Sequence, residues 1–306
     1  MTRARPVPGA TPIQDAYEVC AAITRTEAAN FSYGIRLLPA YKRDALSAVY
    51  ALARRIDDIA DGDADGDAAG EPAPPAQRAA ELDRLRGAIN EASKGPPPAD
   101  DPVLVAVGDA ASRLPIPMGA FGELIDGAQM DVTGRRYQTF AELETYCRCV
   151  AGAVGRLCLG VFGSKPDPAA PRYADALGIA LQQANILRDL REDLLNGRVY
   201  VPEEDLDRFG VRLRIEGGRL ADPDGSLARL IRFSAERARS WFADGERLIP
   251  LLDRRSAASA RAMAGIYAAL LDRIAADPPL VYGGRLSLPV WHKAAIAARA
   301  LSGLGR

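Results

Sequence analysis

The chain has 306 residues, 48% of them apolar, a formal net charge of −1 and a pI near 6.0. That balance excludes a general electrostatic pull toward nucleic acid, and the sparse aromatics do not interleave with basic residues as a base-stacking surface requires. Four cysteines without a C-x-x-C pair and a single histidine, His292, exclude a zinc ribbon, a disulfide framework and a multi-histidine metal centre, and weaken any Ser-His-Asp arrangement.

The opening MTRARPVPGATP carries two arginines but no apolar stretch behind them. It does not read as a secretory signal, and residues 1–12 are expected to be flexible. Helical periodicity then predicts helices over 13–30, 40–61, 76–92, 102–113, 117–130, 139–162, 170–195, 226–249, 255–276 and 287–301, with almost no alternating β pattern. Proline- and glycine-rich breaks fall at 62–75, 93–102 and 163–171. The first begins as DGDADG (61–66), like a calcium loop, but position 12 of that loop would be Pro72, and Glu71 stands one place early. A solvated loop is the better reading. No window is expected to be long and uncharged enough to span a bilayer. None of the breaks divides regions of different composition, so residues 1–306 read as one all-α domain, soluble and cytoplasmic.

Two helices carry acidic stripes. Over 40–61, Tyr50, Arg54, Asp57 and Asp61 are spaced 4, 3 and 4 and share a face, since residues four apart lie about 40° apart around a helix. Over 170–195, Gln182, Asn185, Asp189 and Asp193 share a face among Ile179, Leu187, Leu190 and other apolar residues. A helix this apolar is mostly buried, and buried carboxylates imply a polar cavity or bound ions. Hard oxygens favour Mg²⁺, while Arg54 and Arg188 beside the acids suit a polyanion. The bland alternative is a helical scaffold whose acids and arginines form ordinary solvated ion pairs.

The segments YALARRIDDIADG (50–62) and QQANILRDLREDLLNGRVYVP (182–202) resemble the two aspartate-rich signatures of squalene and phytoene synthases, and the likeness runs from NFSYGIRLLP (30–39) to GGRLSLPVWHKAAIAARAL. The resemblance implies a single-domain isoprenoid-synthase helical bundle with a central cavity. It implies that Asp57, Asp61, Asp189 and Asp193 bind Mg²⁺–diphosphate, with Gln182 and Asn185 lining the same cavity. Arg54, Arg188 and Arg285 would contact phosphate, and Tyr50, Tyr146 and Tyr267 would be cavity tyrosines. On the helix over 139–162, Tyr146, Val150, Ala153, Val154, Leu157 and Val161 form an apolar face suited to a prenyl tail. Gly152 and Gly155 there either make room for that tail or let helices pack closely. Cys147 and Cys149 read as small hydrophobes, and Met118 and Met130 as core.

Within the family the wording looks most like bacterial presqualene diphosphate synthase, which joins two farnesyl diphosphates. Ala28 and Asn30 stand where phytoene synthases often carry hydroxyls, which favours that reading. Phytoene synthesis from geranylgeranyl diphosphate and full squalene synthesis with NADPH are the alternatives. A tyrosine or the released diphosphate would accept the proton. A lipid product makes peripheral membrane contact and pathway enzymes acting on the product the expected partners, although no strongly basic amphipathic helix announces membrane binding.

Overall fold

The computed structural model describes residues 12–28, 31–62, 73–95 and 100–302. Most of the expected flexible N-terminus, Asn30, and residues 63–72 of the calcium-like loop and its surroundings lie outside the described residues. The helix expected over 13–30 is α1 (Ile13–Glu27), three residues shorter, and a further short helix, α2 (Phe31–Ile35), follows it. α3 (Ala40–Asp61) follows Pro39 and runs through an alanine-rich stretch free of glycine and proline. It stops at Gly62, whose φ of 86° closes the last turn in the left-handed conformation. α4 (Pro75–Ala92), α5 (Pro102–Arg113) and α6 (Gly119–Val132) come next. Asp101 caps α5 by accepting from the backbone N–H groups of Val103 and Leu104.

The helix expected over 139–162 is interrupted. α7 (Phe140–Cys147) passes into a π-helical turn (Arg148–Gly152) and then into α8 (Ala153–Phe162). Together they are long and apolar enough to cross a membrane by length and composition, which corrects the expectation that no such stretch exists. In the fold they lie against α6 and α9. Arg156 fixes them there, donating to both oxygens of Glu123 at 2.7 and 2.6 Å and to Asp175 at 2.7 Å. This is the bonding of a core helix.

α9 (Ala170–Leu195) is the longest helix among the described residues, about 39 Å at 1.5 Å per residue. Two elements too short to show a period went unpredicted: α10 (Glu203–Phe209) and the antiparallel hairpin β1 (Ile215–Glu216) and β2 (Arg219–Leu220). α11 (Ser226–Gly245) stops before the expected residue 249 and tightens into a 3₁₀ segment (Glu246–Leu251). Pro250 explains this, because it has no N–H for the α-helical bond to Glu246. α12 (Arg254–Ala276) and α13 (Val290–Ser302) complete the chain.

The helices form two apolar cores. One gathers α1, α3, α5, α6 and α8; the other gathers α9, α11 and α12. A third cluster, with Tyr137, Tyr146, Tyr200, Ile179 and Ile186, joins them at the seam.

Candidate active site

The polar stripes meet at that seam. α3 brings Tyr50, Arg54, Asp57 and Asp61, α9 brings Gln182, Asn185, Arg188, Asp189 and Asp193, and the last turn of α6 brings Asp131. Arg198, three residues past α9, pairs with Asp61 of α3 at 2.8 Å. Asp131 raises the carboxyls of both Asp57 and Asp193. The two stripes therefore face one hollow.

Charge in the hollow is unevenly compensated. Asp61 has Arg198. Asp189 has Arg188, whose Nε donates to Oδ1 at 2.7 Å, and Arg285, whose Nε lies 3.0 Å from the same oxygen. Asp57 and Asp193 have no ion pair among the described residues. Burial and then repulsion from Asp61 push the Asp57 carboxyl up to about 7. Burial and then Asp189 do the same to Asp193, also to about 7. Asp57 is nonetheless open to solvent.

The donor set fits a hard divalent cation. Four carboxylates are joined by Asn185, whose amide donates to Gln182 Oε1 at 3.4 Å while its own Oδ1 is buried without a hydrogen-bond partner. Among the described residues no three His, Cys, Asp or Glu side chains converge as a finished cage. A cation such as Mg²⁺ held here would complete its sphere with water and ligand oxygens, as Mg²⁺ commonly does.

The cations lie at one end. Arg188 is only 5% exposed. Lys293 of α13 is buried, donates, among the described residues, only a long 3.4 Å bond to Ser287, and is held below its ordinary value by burial and then by the nearby charges of Arg188 and Arg285. Arg188 and Arg285 thus flank Asp189 with Lys293 beside the two arginines, an arrangement that suits an anion richer in charge than one carboxylate. Arg54 pairs with Asp58 at 2.7 Å, and its charge still lowers the neighbouring Asp57 carboxyl.

The aromatic residues fall in two groups. Phe31 stands between Tyr50 and Tyr267, with ring centroids 6.3 and 6.1 Å away. Burial pushes the Tyr50 phenol up to about 12. On the other side, Tyr146 and Tyr200 stack at 5.1 Å. Each donates its hydroxyl to Asp131, Tyr146 to Oδ2 and Tyr200 to Oδ1, both at 2.8 Å. Burial, then the Asp131 charge, raises the Tyr146 phenol well above its usual range.

Val150 sits half-buried in the π-helical turn against α6, where a Cβ on Gly127 would come within 2.4 Å of it. Gly152 and Gly155 serve close packing, not an open channel. A Cβ on Gly155 would lie 2.3 Å from the Ala174 carbonyl oxygen, and one on Gly152 3.0 Å from Asp175.

The Squalene/phytoene synthase family model matches residues 24–292. This chain belongs to the squalene/phytoene synthase family. A phytoene synthase of Mycobacterium tuberculosis is 53% identical over 293 residues, 95% of this chain and 92% of the relative. A 15-cis-phytoene synthase of Synechococcus elongatus is 33% identical, covering 96% and 94% of the two chains. Among solved structures, a dehydrosqualene synthase bound to a ligand superposes with a TM-score of 0.80 at 26% identity, over 95% of this chain and 97% of its own. A squalene synthase from Alicyclobacillus acidocaldarius does so with a TM-score of 0.71 at 32% identity, over 86% and 95%. The fold expected from the sequence, an all-α isoprenoid-synthase bundle, is the one found, and the chain is a head-to-head prenyltransferase of this family.

In this member of the family, the sequence reasoning missed Asp131, Arg198, Tyr200, Lys293 and Phe31. Arg198 and Tyr200 lay inside the quoted NGRVYVP stretch without being singled out. Asp131 left a readable signal: an acid in the last turn of α6, where the macrodipole disfavours it. Lys293 lies inside the GGRLSLPVWHKAAIAARAL stretch, but only the docking of α13 brings it to the site.

Proposed function

We propose that the chain is a phytoene synthase, joining two geranylgeranyl diphosphates head to head with loss of diphosphate. The observation that carries this reading is the 53% identity to a protein named phytoene synthase over 95% of the chain. It favours a C20 substrate over the C15 substrate expected from the sequence. The C15 reading, presqualene diphosphate from farnesyl diphosphate, stands second. Ala28 in place of a hydroxyl and the likeness to a squalene synthase at 32% identity favour it.

In this proposal Asp57, Asp61, Asp189 and Asp193 hold Mg²⁺, with Asn185 and Gln182 beside them. Bound Mg²⁺ would neutralise charge on the diphosphate and ease its departure. Arg54, Arg188, Arg285 and Lys293 take the remaining phosphate oxygens. The ring faces of Tyr50, Phe31 and Tyr267 line the path of the allylic cation, which π-electrons stabilise. Val150 and the apolar face beyond it hold a prenyl tail, and the helices around the hollow keep out water that would quench the cation. Tyr50 and Tyr146 are poor bases because burial holds their phenols protonated. That supports the departing diphosphate over Tyr50 or Tyr146 as the proton acceptor.

Incubation with C15 and C20 diphosphates, with and without NADPH, followed by mass analysis of products tests this. A C40 hydrocarbon from the C20 substrate without NADPH is expected. Preferential formation of a C30 diphosphate from the C15 substrate would replace it with the second reading. No metal-dependent turnover of either in folded protein would return the acids to the scaffold reading.

A further inference from the structure

α9 ends in a turn that returns a cation to its own acids. Gly197 adopts the left-handed conformation, with φ 73°. The backbone N–H of Gly197 donates to the Leu194 carbonyl at 3.1 Å, and that of Arg198 to the Asp193 carbonyl at 2.8 Å. These two bonds are the Schellman closure of a helix, with glycine at the one position that needs positive φ. The closure satisfies the last carbonyls of α9 and ties Arg198 to Asp193, the end of the acidic stripe.

The guanidinium then stands among carboxylates of three helices. It pairs with Asp61 of α3 at 2.8 Å. Burial raises the carboxyls of Asp131 on α6 and Asp193 on α9, and the Arg198 charge opposes that rise in both. The Arg198 side chain is 24% exposed and that of Asp61 41%. The pair is partly withdrawn from water, so separating it leaves a poorly solvated charge. Arg188 and Arg285 serve a different acid, Asp189, one turn back along α9.

We propose that Arg198 is a resident counter-ion that holds Asp61 until diphosphate arrives, so that metal loading depends on the anion. The role rests on the Mg²⁺–diphosphate reading of the site given above. A divalent cation that takes Asp61 as a ligand competes with the guanidinium for the same carboxylate. The displaced charge has no ready carboxylate to move to. Both oxygens of Asp131 already accept a tyrosine hydroxyl at 2.8 Å, and Asp193 would itself face the metal. Diphosphate supplies what is missing, because its oxygens form charge-assisted hydrogen bonds with a guanidinium. Mg²⁺ alone is opposed by the resident charge, and Mg²⁺ with diphosphate is not. Metal then gathers in the hollow only when a substrate head group is present.

Isothermal titration of the full chain with Mg²⁺ alone tests this. A matched series at fixed inorganic diphosphate, corrected for the Mg²⁺ that diphosphate binds free, gives the coupling. Arg198→Gln should bind Mg²⁺ alone about tenfold more tightly than the wild type, the scale of one partly exposed ion pair. The gain from diphosphate should shrink by about that factor or more. Arg198→Lys keeps the charge and should restore the dependence on diphosphate. In an Asp61→Asn background, Arg198→Gln should change Mg²⁺ affinity about twofold at most, because the contested carboxylate is gone. Arg198→Met removes the charge as Arg198→Gln does. Both keep the backbone N–H that closes α9, and either suffices should the other not fold. Equal or weaker binding of Mg²⁺ alone by the charge-removing variants, or the same gain without Asp61, would overturn the counter-ion role. If Mg²⁺ with diphosphate binds neither the wild type nor the variants, the metal reading and the counter-ion role fall together. No prenyl chain is present in these titrations, so neither result bears on the C20 assignment.

Discussion

Asp131 shows what a single side chain does at the seam of the two cores. Its two oxygens each accept a tyrosine hydroxyl at 2.8 Å, and its charge reaches both acidic stripes. Removing the carboxylate leaves two buried phenol donors without partners, a loss of about 1–3 kcal/mol for each. Asp131→Ala should therefore lower unfolding stability by about 2–4 kcal/mol in urea titrations. Tyr146→Phe should cost nearer 1 kcal/mol, because it removes the donor rather than stranding it. The double variant should show a coupling above about 0.5 kcal/mol; strict additivity would mean that the contact carries no energy. Asp57 and Asp189 belong to the other class of residue, where the loss appears in turnover. Asp57→Asn and Asp189→Asn keep the side-chain shape, so the folded chain should survive. Product formation at fixed Mg²⁺ should fall about a hundredfold or more, the scale on which removing one electrostatic contact to a developing charge acts. A variant with wild-type turnover would remove that aspartate from the site.

At the scale of elements, the long periodic helices were legible and the irregular ones were not. The bounds of α3, α5 and α9 match the sequence reading because their apolar stripes run unbroken between proline and glycine signals. The π-helical turn at Arg148–Gly152 leaves no such mark. It arises where α7 and α8 pass between Gly127 of α6 and Gly178 of α9, and a Cβ on Gly178 would sit 2.2 Å from the Ala151 carbonyl oxygen. Such a contact is a property of three helices at once, so one sequence period cannot reveal it. Gly178→Ala should cost about 1–3 kcal/mol by forcing α9 from the turn, measured as a fall in the urea midpoint. Equal stability would show that the helices part freely. The two facing acidic stripes were legible for the opposite reason: i, i+4 spacing fixes a common face without help from tertiary structure. A second inter-element contact is Lys42, buried in α3. It donates to the Phe162 carbonyl at the end of α8, to Asp253 at 2.6 Å and to Ser256 of α12 at 3.0 Å. Burial alone would raise the Asp253 carboxyl, but Lys42 and Ser256 outweigh it and hold it at about 2. Its contribution is present above the ordinary carboxylate value near 4 and is lost as pH falls toward 2. Asp253→Asn should thus destabilise by about 1 kcal/mol at pH 7, a figure reduced because the carboxylate is half-exposed, and by almost nothing at pH 2. A cost that did not change with pH would assign the effect to packing.

The whole molecule holds together around a site that opposes its folding. Asp57 and Asp193 are each raised to about 7, so both bind protons more tightly in the folded chain than in the unfolded one. Their folded-state penalty is absent below pH about 4, grows as pH rises, and is complete above about 7. At pH 8, in chelator, the cores offset two carboxylates that lack counter-ions. The neutral isostere should relieve this. Asp57→Asn and Asp193→Asn should each be more stable than the wild type by about 1 kcal/mol in urea, discounted for the solvent that reaches Asp57. The same variants should lose what a ligand returns. With Mg²⁺ and inorganic diphosphate at about 100 times their dissociation constant, the wild type should gain about 2.7 kcal/mol by mass action, and the variants markedly less. Stability without ligand and stabilisation by ligand would then move in opposite directions in one substitution. A scaffold held by ordinary ion pairs predicts the reverse: removing an aspartate would weaken the free protein, and Mg²⁺ with diphosphate would change neither chain.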